Sequence, residues 1–254
     1  MQPLVSVEFE SFAVSVPRIL DACGVGRVLA TQDRVLIKPN LVNASPPPVT
    51  TPVACVQAII EYVRAHCAAE ILVAEGCGDA CRETPEVFAA LGYDELAQRT
   101  GVQLLDLNIA PLVERQNPDC ELFPRMWLPE VAFTHFLISV PMLKAHSLAG
   151  MSGSIKNMMG FLPPAHYAGP PGSWKKALFH ARMQQSLREL AAHRLPDLTL
   201  MDASLGLASF HLGGPPCDPP VGRLLAGADA LALDREAAGL LGLDWKRIDH
   251  LQPL

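Results

Sequence analysis

The sequence predicts an α/β fold: a mainly parallel sheet flanked by helices in a Rossmann-like three-layer arrangement, with a ligand site at the carboxyl ends of the strands. Three observations predict it. Apolar runs of strand length alternate with stretches of helical period. Half of the 254 residues are hydrophobic, enough for a well-buried core. Four of the strand-like runs end in polar or small residues instead of plain turns.

VLIKPN (35–40) begins as a buried strand and breaks at Pro39. LVNASPPPVTT cannot continue as helix or regular strand, because three consecutive prolines remove backbone donors and fix φ. Thr51-Pro52 reads as a helix start, threonine as cap and proline in the first turn, with VACVQAIIEYVRAHC as the helix. AEILVAEG is a strand ending in an acid and a glycine. PEVFAALGYDELAQRTG is a helical pair closed by glycine, and VQLLDLN a further strand. RMWLPEVAFTHFLISVPML supplies a short strand, a turn and a deeply buried strand. WKKALFHARMQQSLRELAAHR has helical periodicity, LPDLTLMDA returns to strand, and LLAGADALALDREAAGLLGL ends as strand then helix. No repeat and no long linker interrupts this order, so residues 1–254 are expected to form one domain.

Composition excludes some classes of function. Twenty basic against twenty-six acidic residues leave a net charge of −6, the wrong sign for a protein held to nucleic acid by its overall field. No apolar run approaches a membrane span, since Ser139 and Pro141 break FLISVPML, and the opening MQPLVSVEFE lacks the pattern of a secretory signal. Seven scattered cysteines lack the spacing of a disulfide framework, so a cytosolic, reduced protein is expected. Cys77 and Cys81 in GCGDAC are one residue too far apart for a redox pair. Neither a zinc site nor an iron–sulfur cluster finds its ligands.

The chemistry concentrates in KAHSLAGMSGSIKNMMG (144–160). Lys144, His146 and Lys156 are three donors or bases on one short segment, and glycines at 150, 153 and 160 let the backbone approach a ligand. SGSIKN reads as a helix start capped by Ser152 or Ser154, its free amides pointing at an anion. Lysine adds a compact charge, and histidine exchanges a proton near neutral pH, a combination suited to a carboxylate or phosphate. The pattern is not a P-loop, since SIKN follows Gly153 where GK[ST] is required. Other strand ends contribute Lys38 and Asn40, Glu75, and Asp202. Taken singly, Glu75 and Asp202 are better read as solvated loop residues, Asp202 as a cap. His180, in ALFHARM, either packs in the core or points into the cleft. His135, His193 and His211 suggest turn or surface roles.

The blocks IKPNLV, VAEG with LGY and LDLN, ISVPMLKAHSLAGMSGSIKNMMG, LFH, LTLMDA and GADALALD, spanning 35 to 242, resemble the family called domain of unknown function 362. That family carries no established reaction. Many relatives add a ferredoxin-like module with cysteine-bound clusters, which this sequence lacks. The pattern H-x-x-A-G-x-S-G-x-x-K from His146 to Lys156 is similar to one in the nickel-dependent lactate racemase family. There the histidine is a catalytic base and the lysine tethers a nickel-pincer nucleotide. The likeness implies a shared site architecture, not lactate racemisation.

Two functions are compatible with these features. In the first, an enzyme binds a small anion: Lys38, Lys156 and loop amides hold its charge, His146 acts as acid or base, Asn40 and Asn157 orient it, and His180 is a second base or a metal ligand. The metal is unknown. A divalent metal or nucleotide-derived cofactor could join there, whereas an iron–sulfur cluster is not expected. In the second, a non-catalytic accessory protein, a homo-oligomer or a redox-enzyme partner, docks through exposed proline-rich loops at 44–52 and 163–172.

Overall fold

The computed structural model describes residues 1–253. Its strands are β1 (Val5–Glu8), β2 (Arg34–Pro39), β3 (Glu70–Glu75), β4 (Gln103–Asp106), β5 (Leu112–Gln116), β6 (Arg125–Pro129), β7 (Phe136–Val140), β8 (Met142–His146), β9 (Gly150–Ser152), β10 (Leu198–Leu207) and β11 (Arg223–Gly227). Nine form one sheet in the order β1-β11-β10-β7-β2-β3-β4, with β8 and β9 attached beside β10. The pairs β10–β7, β7–β2, β2–β3 and β3–β4 are parallel, while β1–β11 and β11–β10 are antiparallel. The mainly parallel α/β architecture is therefore as the sequence predicts. β5 and β6 form a separate antiparallel pair outside it.

Strand periodicity divides the core. Val35 and Ile37 of β2 join one apolar cluster and Leu36 the other; Phe136, Ile138 and Val140 of β7 lie opposite Leu137. Helices Phe12–Cys23, Val53–His66 and Tyr93–Thr100 cover the first face through Ile19, Leu20, Ile59, Ile60 and Leu96. Helices Met183–His193 and Ala230–Leu240 cover the second through Leu187, Leu190, Leu233 and Ala237.

Two sequence expectations about helix ends are corrected. Thr51 does not cap the helix after it. Its hydroxyl accepts the Asn40 amide and donates to the Val140 carbonyl, and Pro52 takes the N-cap position. The long helix expected from Trp174 is broken into Ala177–His180 and Met183–His193, with Arg182 at φ −133° and ψ 55° between them. The break lets Phe179 enter the core, stacked on Phe123, while His180 reaches the cavity described below.

β10 is ten residues long and sets the position of the 144–160 segment. Its start pairs with β7, and its continuation, from Asp202 to Leu207, pairs with β8, so the chain passes Pro141 and stays in the sheet. β8 then folds back on β9, with Lys144 opposite Ser152 and His146 opposite Gly150, whose φ of 77° turns the hairpin. The short helix Ser154–Asn157 follows, and Asp234 anchors it: its carboxylate accepts the Ser154 amide at 2.7 Å and the Ile155 amide at 2.9 Å. Burial raises the Asp234 pKa to about 7. A Cβ on Gly153 would overlap Asp234 Oδ1, which is why that position is glycine. Asp234→Ala should cost about 2–4 kcal/mol in urea unfolding, because two buried amides lose their acceptors. An unchanged midpoint would show that water replaces the carboxylate at no cost.

Candidate functional site

The carboxyl ends of β2, β3 and β8 open onto a cavity of about 530 Å³. Its wall contains nine of the ten residues singled out by sequence: Lys38, Asn40, Glu75, Lys144, His146, Ser152, Lys156, Asn157 and His180. The tenth, Asp202, lies outside it. Asp202 is not at a strand end, because β10 continues past it to Leu207. It is buried, with Oδ1 on the Ser204 amide, Oδ2 unpartnered, and its pKa raised by burial.

Lys38 and Glu75 meet at 2.8 Å, both buried. Lys38 Nζ also donates to the Pro39 carbonyl and Asn157 Oδ1, while Glu75 accepts the amides of Leu41 and Gly76. Asn157 returns an amide hydrogen bond to Ser139 Oγ. A Cβ on Gly160 would overlap Glu75 Oε1 and Lys38 Cε, so glycine there leaves room for the pair. Burial pulls the Lys38 pKa below the ordinary lysine range against the pull of Glu75.

The remaining lysines have no carboxylate. Lys144 is buried and donates only to the Val49 carbonyl, which also receives Asn40 Nδ2. Its pKa falls to about 7, through burial and then the charge of Lys156. Lys176 donates to Asn108 Oδ1 and the carbonyls of Gly160 and Leu162, and burial lowers it to about 7. Lys156 is half-buried at the cavity wall and makes no hydrogen bond within the chain; burial and Lys38 bring it to about 8. The acids in the wall are Glu75, already paired, and Asp79, whose Oδ1 accepts the Cys81 and Arg82 amides. The cavity therefore carries an uncompensated positive field. The 44–52 loop is tied to this site through the Val49 carbonyl, which receives Lys144; Val49, Thr50 and Thr51 are buried, while Pro46 and Pro47 are exposed as expected.

Hydrogen bonds decide the histidine tautomers. His146 Nδ1 accepts from the Leu148 and Ala149 amides, each at 3.1 Å. Amides only donate, so Nδ1 is unprotonated and the ring hydrogen sits on Nε2. His146 is pushed far down its titration range by burial and then by Lys156, and stays neutral. It is thus a hydrogen-bond donor through Nε2. Taking up a proton at Nδ1 would break two amide contacts. His180 is the reverse case: its Nδ1 lies 2.9 Å from the Lys176 carbonyl, which only accepts, so Nε2 carries the free lone pair.

The loop amides are also corrected. Those of Ser154 and Ile155 are taken by Asp234, and the Ser154 hydroxyl pairs with Thr199, so none of the three is available to an anion. Neither serine caps this helix, whose N-cap is Gly153. Sequence reading missed Lys176 and gave His211 a turn or surface role; it stands in a turn and is partly buried. His211 stacks on His146 with ring centroids 3.7 Å apart, and its Nδ1 is buried without a partner. The doublet of lysines inside an apolar helical pattern was the available signal for Lys176. Among the described residues, no three or more His, Cys, Asp or Glu side chains are grouped to hold a metal ion.

Residues 35–239 match the family described as Domain of unknown function (DUF362). The chain belongs to the DUF362 family. This DUF362 protein is 29% identical over 257 residues to a thylakoid-associated protein of Synechocystis sp., covering 94% of this chain and 73% of that one. In structure it is similar to the lactate racemase apoprotein from Thermoanaerobacterium thermosaccharolyticum, with a TM-score of 0.57 and 13% identity, covering 89% of this chain and 54% of the racemase. The DUF362 chain thus spans about half of that protein's length, and the likeness is one of fold. No described helix is long and apolar enough to cross a membrane.

Two measurements check the site. Long-range ¹H–¹⁵N correlation spectra should show His146 as the neutral Nε2–H tautomer and His180 as Nδ1–H at pH 7.5; His146 in the opposite form would return it to the list of bases. Folded Lys144 and Lys176 release protons near pH 7, whereas unfolded lysines hold them to about pH 10.4. The unfolded state then binds more protons in between, so stability rises with pH. The melting temperature of the ligand-free protein should therefore climb from pH 7 to 8.5, and less steeply in Lys144→Met.

Proposed function

We propose that this DUF362 chain is an enzyme acting on a small carboxylate- or phosphate-bearing anion held on the lysine floor of the cavity. The observation that carries the reading is the set of Lys144, Lys156 and Lys176, three cations turned to one cavity with no carboxylate among their partners. Unpaired buried ammonium groups are costly, and an arriving anion offsets that cost. In this reading His146 Nε2–H orients the anion or its neighbouring oxygen. His180 Nε2 receives a proton from the bound molecule, and Lys156, free of protein contacts and close to neutrality, is the second proton-exchanging group.

A divalent metal held by the protein has no fitting donor set among the described residues. A nucleotide-derived cofactor does find matching groups, with Lys144 and Lys176 for a phosphate and the uncommitted amine of Lys156. Such a group would bring its own reactive atoms while the protein binds and orients it.

The reading predicts proton-coupled binding. An anion raises the pKa of the lysines it touches, so they take up protons and affinity falls as pH rises through 7–8. Calorimetry with inorganic phosphate and with lactate, in buffers of different ionisation enthalpy, should give more proton uptake at pH 8.5 than at pH 6.5. Lys156→Met should weaken binding about 10- to 100-fold, the loss of one charged hydrogen bond. Binding that is absent from the wild type, or indifferent to Lys156→Met, would sink the anion reading.

A further inference from the structure

The cavity has two ends of opposite character. Its floor is the lysine set. Its rim is made of Leu148, Trp174, Phe210 and Leu212, which are 50%, 60%, 45% and 40% exposed. These four come from three separate segments: the turn between β8 and β9, the loop before the Ala177–His180 helix, and the loop after β10. Large exposed apolar side chains scattered singly are ordinary, but a ring of them around one pocket is not.

Aromatic contacts join rim to floor on two sides. Phe210 packs edge-on to His211 at 4.9 Å, and His211 stacks on His146. In the same wall Trp174 packs edge-on to His180 at 5.0 Å. Both imidazoles that face the anion thus continue outward as an apolar wall. The volume argues the same way. About 530 Å³ falls in the range of roughly 300–1,000 Å³ that holds drug-sized ligands, so a phosphate or a three-carbon acid would leave most of it filled with water against apolar side chains.

We infer that the ligand of this cavity is an amphiphilic anion: a carboxylate or phosphate head on the lysine floor, and an apolar body between Trp174 and Phe210. This rests on the anion reading above and narrows it, since a wholly polar substrate would leave the rim unused. The apolar body excludes water from the mouth, which strengthens the attraction between head and lysines.

A homologous series of probes tests it: methyl, butyl, hexyl and phenyl phosphate, with 1-hexanol as the uncharged control, all titrated below micelle formation. Affinity should rise from methyl to hexyl by up to about fourfold per buried methylene, phenyl phosphate should exceed methyl phosphate, and 1-hexanol should not bind. In the Trp174→Ala/Phe210→Ala variant the dependence on chain length should flatten. Methyl and hexyl phosphate binding equally well to the wild type would overturn this inference and leave the anion site standing. A length dependence that survives in the double variant would overturn it too, by placing the apolar body elsewhere. No binding of any of these phosphates, nor of acetate and heptanoate as their carboxylate counterparts, would overturn the anion reading and this inference together, and binding of 1-hexanol as tight as hexyl phosphate would reduce the cavity to an apolar pocket.

Discussion

The ion pair between Lys38 and Glu75 holds the site together. It joins the ends of two neighbouring parallel strands, and its hydrogen bonds reach Asn157 and the amides of Leu41 and Gly76. Three segments distant in sequence are thereby fixed against one another, with Gly160 lying on the pair where any side chain would collide. Buried pairs seldom add net stability, since desolvation offsets the attraction. What this one supplies is position: removal of either partner would leave the other charge buried and unpaired, a loss of about 3–5 kcal/mol.

Around that pair the protein accepts an electrostatic cost. Lys144 and Lys176 are satisfied by carbonyl oxygens alone, which provide hydrogen bonds without a countercharge. Low pKa values follow from the same burial that creates the cavity. Two properties thus have one cause: the site is strained by its own field, and its lysines exchange protons near neutral pH, where ordinary lysines do not. Imidazoles in the same field stay neutral, and the division of labour between His146 and His180 comes from which backbone groups their Nδ1 atoms meet.

Much of this was legible in the sequence, and the failures are instructive. Strand ends carrying Lys38, Glu75 and Lys144 pointed to a common edge, because ligands in parallel sheets gather there. Asp202 had the same local appearance, but its strand runs on to Leu207, so it lies mid-strand and not at the carboxyl edge. SGSIKN looked like an anion-binding helix start until Asp234, eighty residues away, took its amides. Thr51 looked like a cap and serves instead as a link between Asn40 and Val140. In the last two cases the deciding partner, Asp234 or Val140, lies far along the chain. The Phe12–Cys23 helix and β5 passed without a prediction, although neither touches the site.

Local order determined the alternation of strand and helix, the apolar faces, and the gathering of lysine, histidine and glycine between 144 and 160, because periodicity and φ preferences act over a few residues. Tertiary structure decided which of those groups are free. Each imidazole's tautomer follows from backbone groups two to four residues away, but whether a lysine meets a carboxylate, and whether a serine amide is spent or open, depends on contacts between segments distant in sequence. Such contacts leave no trace in neighbouring residues, and they alone turn a cluster of basic side chains into a cavity with a charged floor and an apolar mouth.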